Sequence, residues 1–273
     1  MKRYTVRTFS LEMAMGVVAL IFAFPLYILV NLALSLPNEA ANPLIPTANP
    51  TFDNFARAWE QASLGGAIMN SAIVTISSVL VIVFVSAMAS YPLSRITSRL
   101  SSAMFWTLMV GLLLPFQLAM IPLYQTVRDI GLLGSVWSLV LFYSGAQVPF
   151  TVFLYTGFLR ALPREYEEAA WMDGATALSA FWRVVFPMLR PITGTVVILN
   201  AIHIWNDFFT PLLYLSGSGS QTLPVALYAF VGEFSADWPL IFAGLVIGII
   251  PILLCYFLMQ KTIIQGFAGG LKG

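Results

Sequence analysis

The 273-residue sequence is short of charge. Charged residues make up 9% of it, whereas about 25% is usual for soluble globular domains. A chain with so little polar surface does not stay dissolved in water, so the composition excludes a soluble fold and indicates an integral membrane protein. The net charge of +1 argues against a nucleic-acid-binding protein, which needs a basic face.

Cysteine and histidine are almost absent, with one residue of each. Cys255 lies in an apolar run and has no second cysteine to pair with, which excludes a disulfide within the chain. One histidine is too few for a His-rich metal site, and no metal or other cofactor is predicted. The sequence also has no GxxxxGK[ST] run, so no P-loop for ATP is predicted.

Hydrophobic residues are abundant, at 59% of the sequence, and the mean hydropathy is +0.86. A bilayer core takes about 20 apolar residues of helix. Six runs meet that length, at residues 11–36, 67–92, 103–126, 135–159, 191–215 and 239–264. The first follows basic residues as a signal peptide does, but its apolar run is longer and no clear cleavage site follows, so we predict an uncleaved span.

Lys and Arg are distributed unevenly between the segments that join these runs. With both ends of the chain in the cytoplasm, only Arg57 and Arg128 lie outside. The other eleven of the 13 basic residues lie inside, namely Lys2, Arg3, Arg7, Arg95, Arg99, Arg160, Arg164, Arg183, Arg190, Lys261 and Lys272. This positive-inside bias predicts a multi-pass protein with cytoplasmic segments at residues 1–10 and 265–273.

The outer segments are rich in proline, asparagine, glycine and serine. Prolines disfavour regular helix before the second run, so we predict a loop with one short helix near residues 52–59. The last outer segment contains SGSGSQTLP, a composition typical of a flexible tip.

The largest inner segment, EYEEAAWMDGATALSAFWRVVFP at residues 165–187, predicts two short helices. Pro163 and the acids that follow favour the start of the first helix, and Gly174 suits a left-handed residue that ends it. Thr176 is a candidate N-cap for the second helix, and Pro187 closes it. One apolar face of that helix contains Leu178, Phe181, Trp182, Val185 and Phe186. Two interpretations are open, a passive elbow on the membrane surface and a docking element for a cytosolic partner.

The same segment carries a family resemblance. Glu168-Ala169-Ala170, three residues, Gly174, nine residues and then Val184-x-Phe186-Pro187 resemble the EAA motif of ABC importer permeases. Asp173 completes its common DGA form, and Val and Phe replace the usual Ile and Leu. Further segments resemble the smaller, six-span permease of maltose-type carbohydrate uptake systems: TFDNFARAW, MIPLYQTVRDIGLLGS, WNDFFTPLLYL, TLPVALYAF and QKTIIQGFAGGLKG.

The resemblance implies an all-α, polytopic fold of the type I ABC importer permeases. Six transmembrane helices would form a permease domain at residues 11–264, with a cytoplasmic two-helix coupling loop at residues 160–190. It implies a non-enzymatic subunit of a sugar importer in a bacterial or archaeal plasma membrane. The implied partners are a second related permease, two cytosolic ATPase subunits, an extracytoplasmic sugar-binding protein and membrane lipid.

Residue roles are also implied by the resemblance. The residues that couple to the ATPase would be Glu168, Ala169, Ala170, Asp173, Gly174 and Pro187. The loop that enters the binding protein's cleft would be Ser216, Gly217, Ser218, Gly219, Ser220 and Gln221. The tail at residues 266–273 would reach the interface of the two ATPase subunits, although a chain end is normally frayed.

Polar residues in three predicted spans are candidates for a translocation path. The fifth span has Asn200, His203, Asp207, Thr210 and Tyr214 on one stripe, and the fourth has Ser144, Gln147 and Thr151. In the third, Pro115 and Pro122 bracket Gln117 and predict a locally irregular helix. Such residues either face a water-filled path or join helices by hydrogen bonds, and the pattern leaves both open.

Other residues in the spans carry narrower expectations. An unpaired charge in the membrane is costly, so Asp207 is expected to bind His203 or a backbone group. Tyr143, Trp205 and Phe208 would either face a sugar ring or pack in the core. Gly244 and Gly248 predict a close helix contact, and Cys255 a small core residue.

Two other function classes are weaker. A secondary transporter or channel not driven by ATP would be expected to have inverted repeats and charge pairs within the membrane. No convincing repeat is present, and Asp207 is the one acid near the middle of a predicted span. A membrane enzyme would need a nucleophile–base set or metal ligands, for which one His and one Asp are thin support.

Overall fold

The computed structural model describes residues 6–37, 42–232 and 236–270, which are mostly helical. The chain divides into two compact units. Unit 1 contains residues 1–65 and 225–250, and unit 2 contains residues 66–224 and 251–273. The predicted basic residues Lys2, Arg3 and Lys272 lie outside the described residues.

The helices follow the apolar runs of the sequence. In chain order they are α1 Val6–Leu34, α2 Asp53–Gln61, α3 Leu64–Arg95, α4 Arg99–Leu113, α5 Met120–Asp129, α6 Val136–Ala161, α7 Glu165–Met172, α8 Ala177–Ala180, α9 Phe186–Met188, α10 Arg190–Asn206, α11 Phe209–Tyr214, α12 Leu223–Tyr228 and α13 Trp238–Gly270. A π-helical turn at Phe181–Val185 joins α8 to α9, and a 3₁₀ turn lies at Phe116–Leu118.

Within these ranges, four helices are long and apolar enough to cross a membrane, at Thr8–Leu34, Leu64–Arg95, Val136–Ala161 and Trp238–Leu258. A fifth is added if Ala177–Met188 and Arg190–Asn206, which meet at a bend of 73°, are counted as one span. An all-helical membrane architecture is therefore present, while the predicted count of six spans is not reached by single unbroken helices.

The predicted third span is interrupted at Pro115, the first of its two prolines, whereas Pro122 lies within α5. α4 ends at Leu113, and Leu114 and Pro115 have ψ angles of 126° and 117°, outside the helical region. Leu114 precedes a proline, a position that disfavours helical backbone. The chain then makes the 3₁₀ turn that contains Gln117 before α5 begins. The prediction of an irregular helix around Gln117 is confirmed.

The predicted fifth span is also interrupted. α10 ends at Asn206, Asp207 is extended at φ −71° and ψ 125°, and α11 begins at Phe209. Pro211 has no amide hydrogen to donate to the Asp207 carbonyl, and its ring would collide with that carbonyl in a continuous helix. The proline therefore accounts for the break four residues before it.

Unit 1 orders the predicted outer loop through two buried asparagines. The Asn31 amide donates to the carbonyls of Pro43 and Ile45 at 3.1 and 2.8 Å, and its oxygen accepts from the Thr47 amide at 2.9 Å. Asn54 donates to the carbonyls of Ala33 and Ser35, both at 2.9 Å. The predicted short helix near residues 52–59 is confirmed as α2, and hydrogen bonds to the end of α1 hold it.

In unit 1, Leu227 of α12 packs closely against Gly244 of α13. A Cβ atom at Gly244 of α13 would overlap the side chain of Leu227 in α12. Gly244 therefore permits a close helix contact, as its spacing in the sequence predicted.

Unit 2 contains two large clusters of buried apolar side chains and a smaller one of Leu93, Phe105 and Val152. The first surrounds the break at Asp207 and includes Val74, Ile82, Leu139, Tyr143, Ile204 and Tyr214. The second lies beneath residues 165–187 and includes Ala87, Tyr155, Leu159, Phe181, Val185 and Val196. Both large clusters combine α3, α6 and α10, so these three helices are the frame on which the broken segments rest.

The C-terminal helix is longer than the sequence predicted. α13 runs to Gly270, whereas the apolar run was predicted to end at residue 264 and a cytoplasmic tail to follow. Residues 266–270 of the predicted tail are therefore helical, and residues 271–273 lie outside the described part of the chain.

Candidate functional site

The segment at residues 165–187 forms a helix, a glycine corner and a second helical arm. At the end of α7 the Ala175 amide donates to the Ala170 carbonyl and the Gly174 amide to the Trp171 carbonyl, both at 2.9 Å. This is the Schellman arrangement, and Gly174 has the left-handed φ of +81° that it requires. The Thr176 hydroxyl then accepts from the Ser179 amide at 3.3 Å and caps the second arm. The predicted helix end at Gly174 and the predicted N-cap at Thr176 are confirmed.

Two proline predictions were wrong in detail. Pro163 lies outside α7, whose first residue is Glu165. Pro187 does not end the second arm but lies inside α9, where a proline near the start of a helix needs no amide donor. The arm also contains a π-turn, in which the Phe186 amide donates to the Phe181 carbonyl five residues earlier. The arm ends at Leu189, just before the bend into α10.

The residues of the EAA motif lie mostly on the surface. Glu168, Ala169, Asp173, Gly174 and Pro187 are exposed, and Ala170 is half-buried. Large apolar side chains lie among them, with Met172 89%, Leu178 59% and Trp171 48% exposed. Carboxylates and apolar groups that are exposed together are typical of a surface that a protein partner covers. This surface, from Glu168 to Leu178, is called the elbow surface below.

The predicted apolar face of the second arm is divided between core and surface. Phe181 and Val185 are buried, and Trp182 and Phe186 are half-buried against the same cluster. Leu178 points away from the core and belongs to the elbow surface. Most of this face therefore anchors the arm to its own subunit.

A buried polar group that the sequence pattern did not predict lies behind the elbow surface. Glu167 is 2% exposed, and its carboxylate contacts Arg95 at 2.6 Å and the Tyr91 hydroxyl at 3.1 Å. In the sequence Glu167 looks like its neighbours Glu165 and Glu168, which are exposed. A signal was present, because Tyr91 and Arg95 are four residues apart at the inner end of a span and so share one helix face.

The predicted path residues do not form one open stripe. Asn200 is buried and donates to the Thr151 hydroxyl at 3.2 Å and to the Val196 carbonyl at 2.8 Å. Its amide joins α10 to α6, as expected of a residue that holds helices together. Gln117 and His203 are exposed, and Ser144 and Gln147 are half-buried. Asn206, which sequence analysis did not single out, is exposed one turn after His203.

Asp207 stabilises the break between α10 and α11. One carboxylate oxygen accepts from the Tyr143 hydroxyl at 2.8 Å. The other accepts from the amides of Phe209 and Thr210 at 3.0 and 3.4 Å, at the start of α11. The expected backbone partner is confirmed, and the described contacts of Asp207 go to these groups rather than to His203.

Aromatic rings link the two interrupted segments. Phe116 of the 3₁₀ turn packs against Phe142 with ring centroids 5.9 Å apart, and Phe142 packs against Tyr143 and Tyr214 at 5.4 and 5.5 Å. Tyr143 is fully buried and Trp205 is 8% exposed. Of the two sequence interpretations of Tyr143 and Trp205, packing is therefore the one that fits.

The loop from Ser216 to Gln221 is a compact pair of turns rather than a free tip. Gly217 and Gly219 have φ angles of +76° and +72°, and the Ser218 amide and hydroxyl both donate to the Leu215 carbonyl, at 3.1 and 2.7 Å. The Gln221 carbonyl accepts from Asn70 at 3.0 Å, which ties the end of the loop to α3. Ser220 is half-buried, and the other five residues are exposed.

Comparison with known proteins decides the class of this chain. Residues 82–268 match the family of binding-protein-dependent transport system inner membrane components. The chain belongs to this family. The predicted resemblance to the permeases of binding-protein-dependent importers is therefore confirmed.

Relatives of the permease include several import proteins. It is 36% identical to the melibiose/raffinose/stachyose import permease MelC of Bacillus subtilis over 94% of each chain. It is 35% identical to the multiple sugar-binding transport system permease MsmG of Streptococcus mutans over 92% of each chain. It is 32% identical to the probable starch degradation products permease AmyC of Thermoanaerobacterium thermosulfurigenes, over 99% of this chain and 98% of that protein.

The fold of the permease also matches a solved structure. A chain of a bacterial ABC transporter that imports the acidic polysaccharide alginate superposes with a TM-score of 0.82 at 22% identity. The match covers 96% of the permease and all of that chain. The arrangement of helices is therefore that of an ABC importer permease.

Proposed function

We propose that this permease forms, with a second related permease, the translocation path of an ATP-driven sugar importer that takes its substrate from an extracytoplasmic binding protein. The proposal is supported by its relatives, whose names concern melibiose, raffinose, stachyose, multiple sugars and starch products. The substrate class is therefore an oligosaccharide. The location is a bacterial or archaeal plasma membrane, with both ends of the chain in the cytoplasm.

The elbow surface is the observation that carries the proposal. Two cytosolic ATPase subunits would bind below the permease pair, one of them at Glu168, Ala169, Ala170, Asp173, Gly174 and Pro187. Exposed carboxylates suit basic groups of such a partner, and Met172, Trp171 and Leu178 supply apolar area around them. The Schellman corner makes the angle between α7 and the second arm definite, which a joint that transmits force needs.

Six spans are obtained if the interrupted helices cross the membrane as pairs. We assign α4 with α5 to the third span and α10 with α11 to the fifth. Broken backbone at membrane depth is tolerated where protein or a water-filled cavity covers it. The aromatic cluster of Phe116, Phe142 and Tyr214 covers both breaks in this way.

The translocation path is proposed to follow the exposed polar residues near the breaks. Gln117, His203 and Asn206 are the exposed members, and Ser144 and Gln147 are half-buried candidates on α6. Asn200 and Asp207 are proposed to shape the path indirectly, because their described hydrogen bonds are made to α6 and to backbone groups.

Reconstitution tests this function. The permease would be co-expressed with its second permease and ATPase, purified in detergent and placed in proteoliposomes with the binding protein and a labelled raffinose-type oligosaccharide. We expect the ATPase to co-purify and uptake to require ATP on the cytoplasmic side. Uptake that follows an ion gradient without nucleotide would support a secondary transporter instead.

A further inference from the structure

A buried polar group links residues 165–187, called the coupling segment below, to the ends of α3 and α6. Tyr91, Arg95 and Glu167 are called the Arg95 cluster here. The side chain of Glu167 is 2% exposed and that of Arg95 is 11% exposed. One Glu167 oxygen accepts from Arg95 Nε at 2.8 Å and contacts Nη2 at 2.6 Å, and the other accepts from the Tyr91 hydroxyl at 3.1 Å.

Arg95 also holds the inner end of α6. Its guanidinium donates to the Leu159 carbonyl at 2.7 Å and to the Leu162 carbonyl at 3.3 Å. These are carbonyls at the end of a helix, where partners within the helix run out. One planar side chain of α3 therefore joins the end of α6 to α7, a task that suits the fixed fork of donors in arginine.

The second arm of the coupling segment rests on the same helix. The Tyr91 ring packs against Phe181 with centroids 5.2 Å apart, and Phe84 packs against Trp182 at 5.4 Å. Tyr91 thus contacts α7 through its hydroxyl and the second arm through its ring. α3 therefore contacts both α7 and the second arm. In the sequence, however, α7 follows α6, and the second arm leads into α10.

Stability alone is a poor explanation for this cluster. The free energy lost when a buried ion pair leaves water is about as large as the free energy gained from its attraction. Well-packed apolar side chains in its place often make the protein at least as stable. The ion pair fixes the orientation of α7, because its hydrogen bonds form at one angle of α7 relative to α3 and α6.

We propose that the Arg95 cluster is a positioning device that makes α3 and α6 move with α7 when the ATPase moves the coupling segment. This inference rests on the proposed function. Glu167 is too buried to meet the ATPase, in contrast to its exposed neighbour Glu168. It acts as a positioning residue, since it sets how movement of the elbow surface reaches the membrane helices.

Sugar uptake per ATP hydrolysed tests the proposal in the full reconstituted complex. In Glu167→Gln the ion pair with Arg95 is lost, and we expect this ratio to fall about tenfold, within the usual range of coupling between sites. Arg95→Lys should cause a smaller loss, because lysine keeps the charge but cannot reproduce the fork. Asp129→Asn is the matched control. It removes the exposed Arg128–Asp129 pair at 2.9 Å and should leave the ratio at its wild-type value.

A distance measurement separates coupling from folding. In a Cys255→Ser background, spin labels at Ile96→Cys and Tyr166→Cys, both exposed in the wild type and outside the elbow surface, report the distance between the end of α3 and α7. We expect one narrow distribution in the wild-type complex and a broad one in Glu167→Gln. A narrow distribution with a normal uptake ratio in Glu167→Gln would overturn the proposal. Less assembled complex with a normal ratio per complex would also overturn it, since the role would then be structural.

Failure of the proposed function gives a different result. If the wild-type complex shows no ATP-dependent sugar uptake, the importer assignment is wrong, whatever the variants do. The distance distributions still decide, in that case, whether the Arg95 cluster fixes α7 to α3.

Discussion

At the scale of single residues, Gly174 is the position where backbone conformation matters most for the coupling segment. Its φ is +81°, and no atom lies within 4 Å of the place that a Cβ would occupy. A substitution therefore meets backbone strain but no collision. Gly174→Val should cost about 1–3 kcal/mol locally and change the angle between α7 and the second arm.

The expected result for Gly174→Val is normal expression and normal pairing with the second permease, with loss of ATPase pull-down or of sugar-dependent ATP hydrolysis. Gly174→Asn is the matched control, because asparagine tolerates the left-handed region. This variant should retain most of the ATPase pull-down and most of the sugar-dependent ATP hydrolysis. Wild-type values for Gly174→Val in both assays would mean that the segment is a passive elbow.

Charge reversal tests the elbow surface at one exposed residue. Glu168→Lys changes a residue that lies on the surface of α7, so it should leave the fold intact. We expect weaker binding of the ATPase, by about 2–5 kcal/mol if Glu168 meets a buried basic group of the partner. The ATPase retained on the purified permease, measured against increasing salt, checks this. Retention equal to wild type would place Glu168 outside the interface.

Asp207 allows a double-mutant cycle in the membrane. Asp207→Leu removes the acceptor of the Tyr143 hydroxyl and of two amides at the start of α11. We expect a loss of about 1–3 kcal/mol, seen as a lower melting temperature in detergent, because a buried donor is left without a partner. Tyr143→Phe in the Asp207→Leu background should recover part of the lost stability. Additive losses would contradict a direct interaction.

At the scale of elements, the outer loop from Ser216 to Gln221 is a compact structure that presents small polar residues. We expect its deletion to lower the stimulation of ATP hydrolysis by the binding protein while the complex still assembles. Asn70→Ala is the control, because it removes the hydrogen bond to the Gln221 carbonyl that the deletion also removes, while the loop itself is retained. Unchanged stimulation after the deletion would remove this loop from the contact with the binding protein.

The end of α13 is helical over residues 266–270, which the sequence predicted as part of a cytoplasmic tail. Its helix continues to Gly270, so a truncation that removes residues 269–273 shortens a helix as well as a tail. We expect reduced coupling of ATP hydrolysis to uptake if this end reaches the ATPase pair. Normal hydrolysis and uptake by the truncated complex would mean that it makes no functional contact.

At the scale of the whole molecule, the six-span assignment predicts which residues face each side. In a Cys255→Ser background, Thr97→Cys and Tyr166→Cys should be protected from a membrane-impermeant maleimide in intact spheroplasts, and Ile130→Cys should react. All three positions are exposed, so detergent should make all three reactive. Equal reactivity of residues 97 and 130 in intact spheroplasts would show that α4 and α5 do not cross the membrane as a pair.

What the sequence determined by itself is the local structure and the class of protein. Long apolar runs predict membrane helices because bilayer thickness sets their length. Gly174 and Thr176 could be assigned correctly because a helix end depends on residues within one or two turns. The break near Gln117 was predictable for the same reason, since a proline acts on its immediate neighbours.

Tertiary structure alone decided which polar side chains are buried and what they bind. The sequence left open whether Asn200 faces a path or joins helices, and it bonds to Thr151, 49 residues away; Glu167 pairs with Arg95 across 72 residues. A periodic pattern shows that residues share a helix face, but that face may meet water, lipid or another helix. The choice depends on how α3, α6 and α10 pack, and the side chains that settle it lie far apart in the chain.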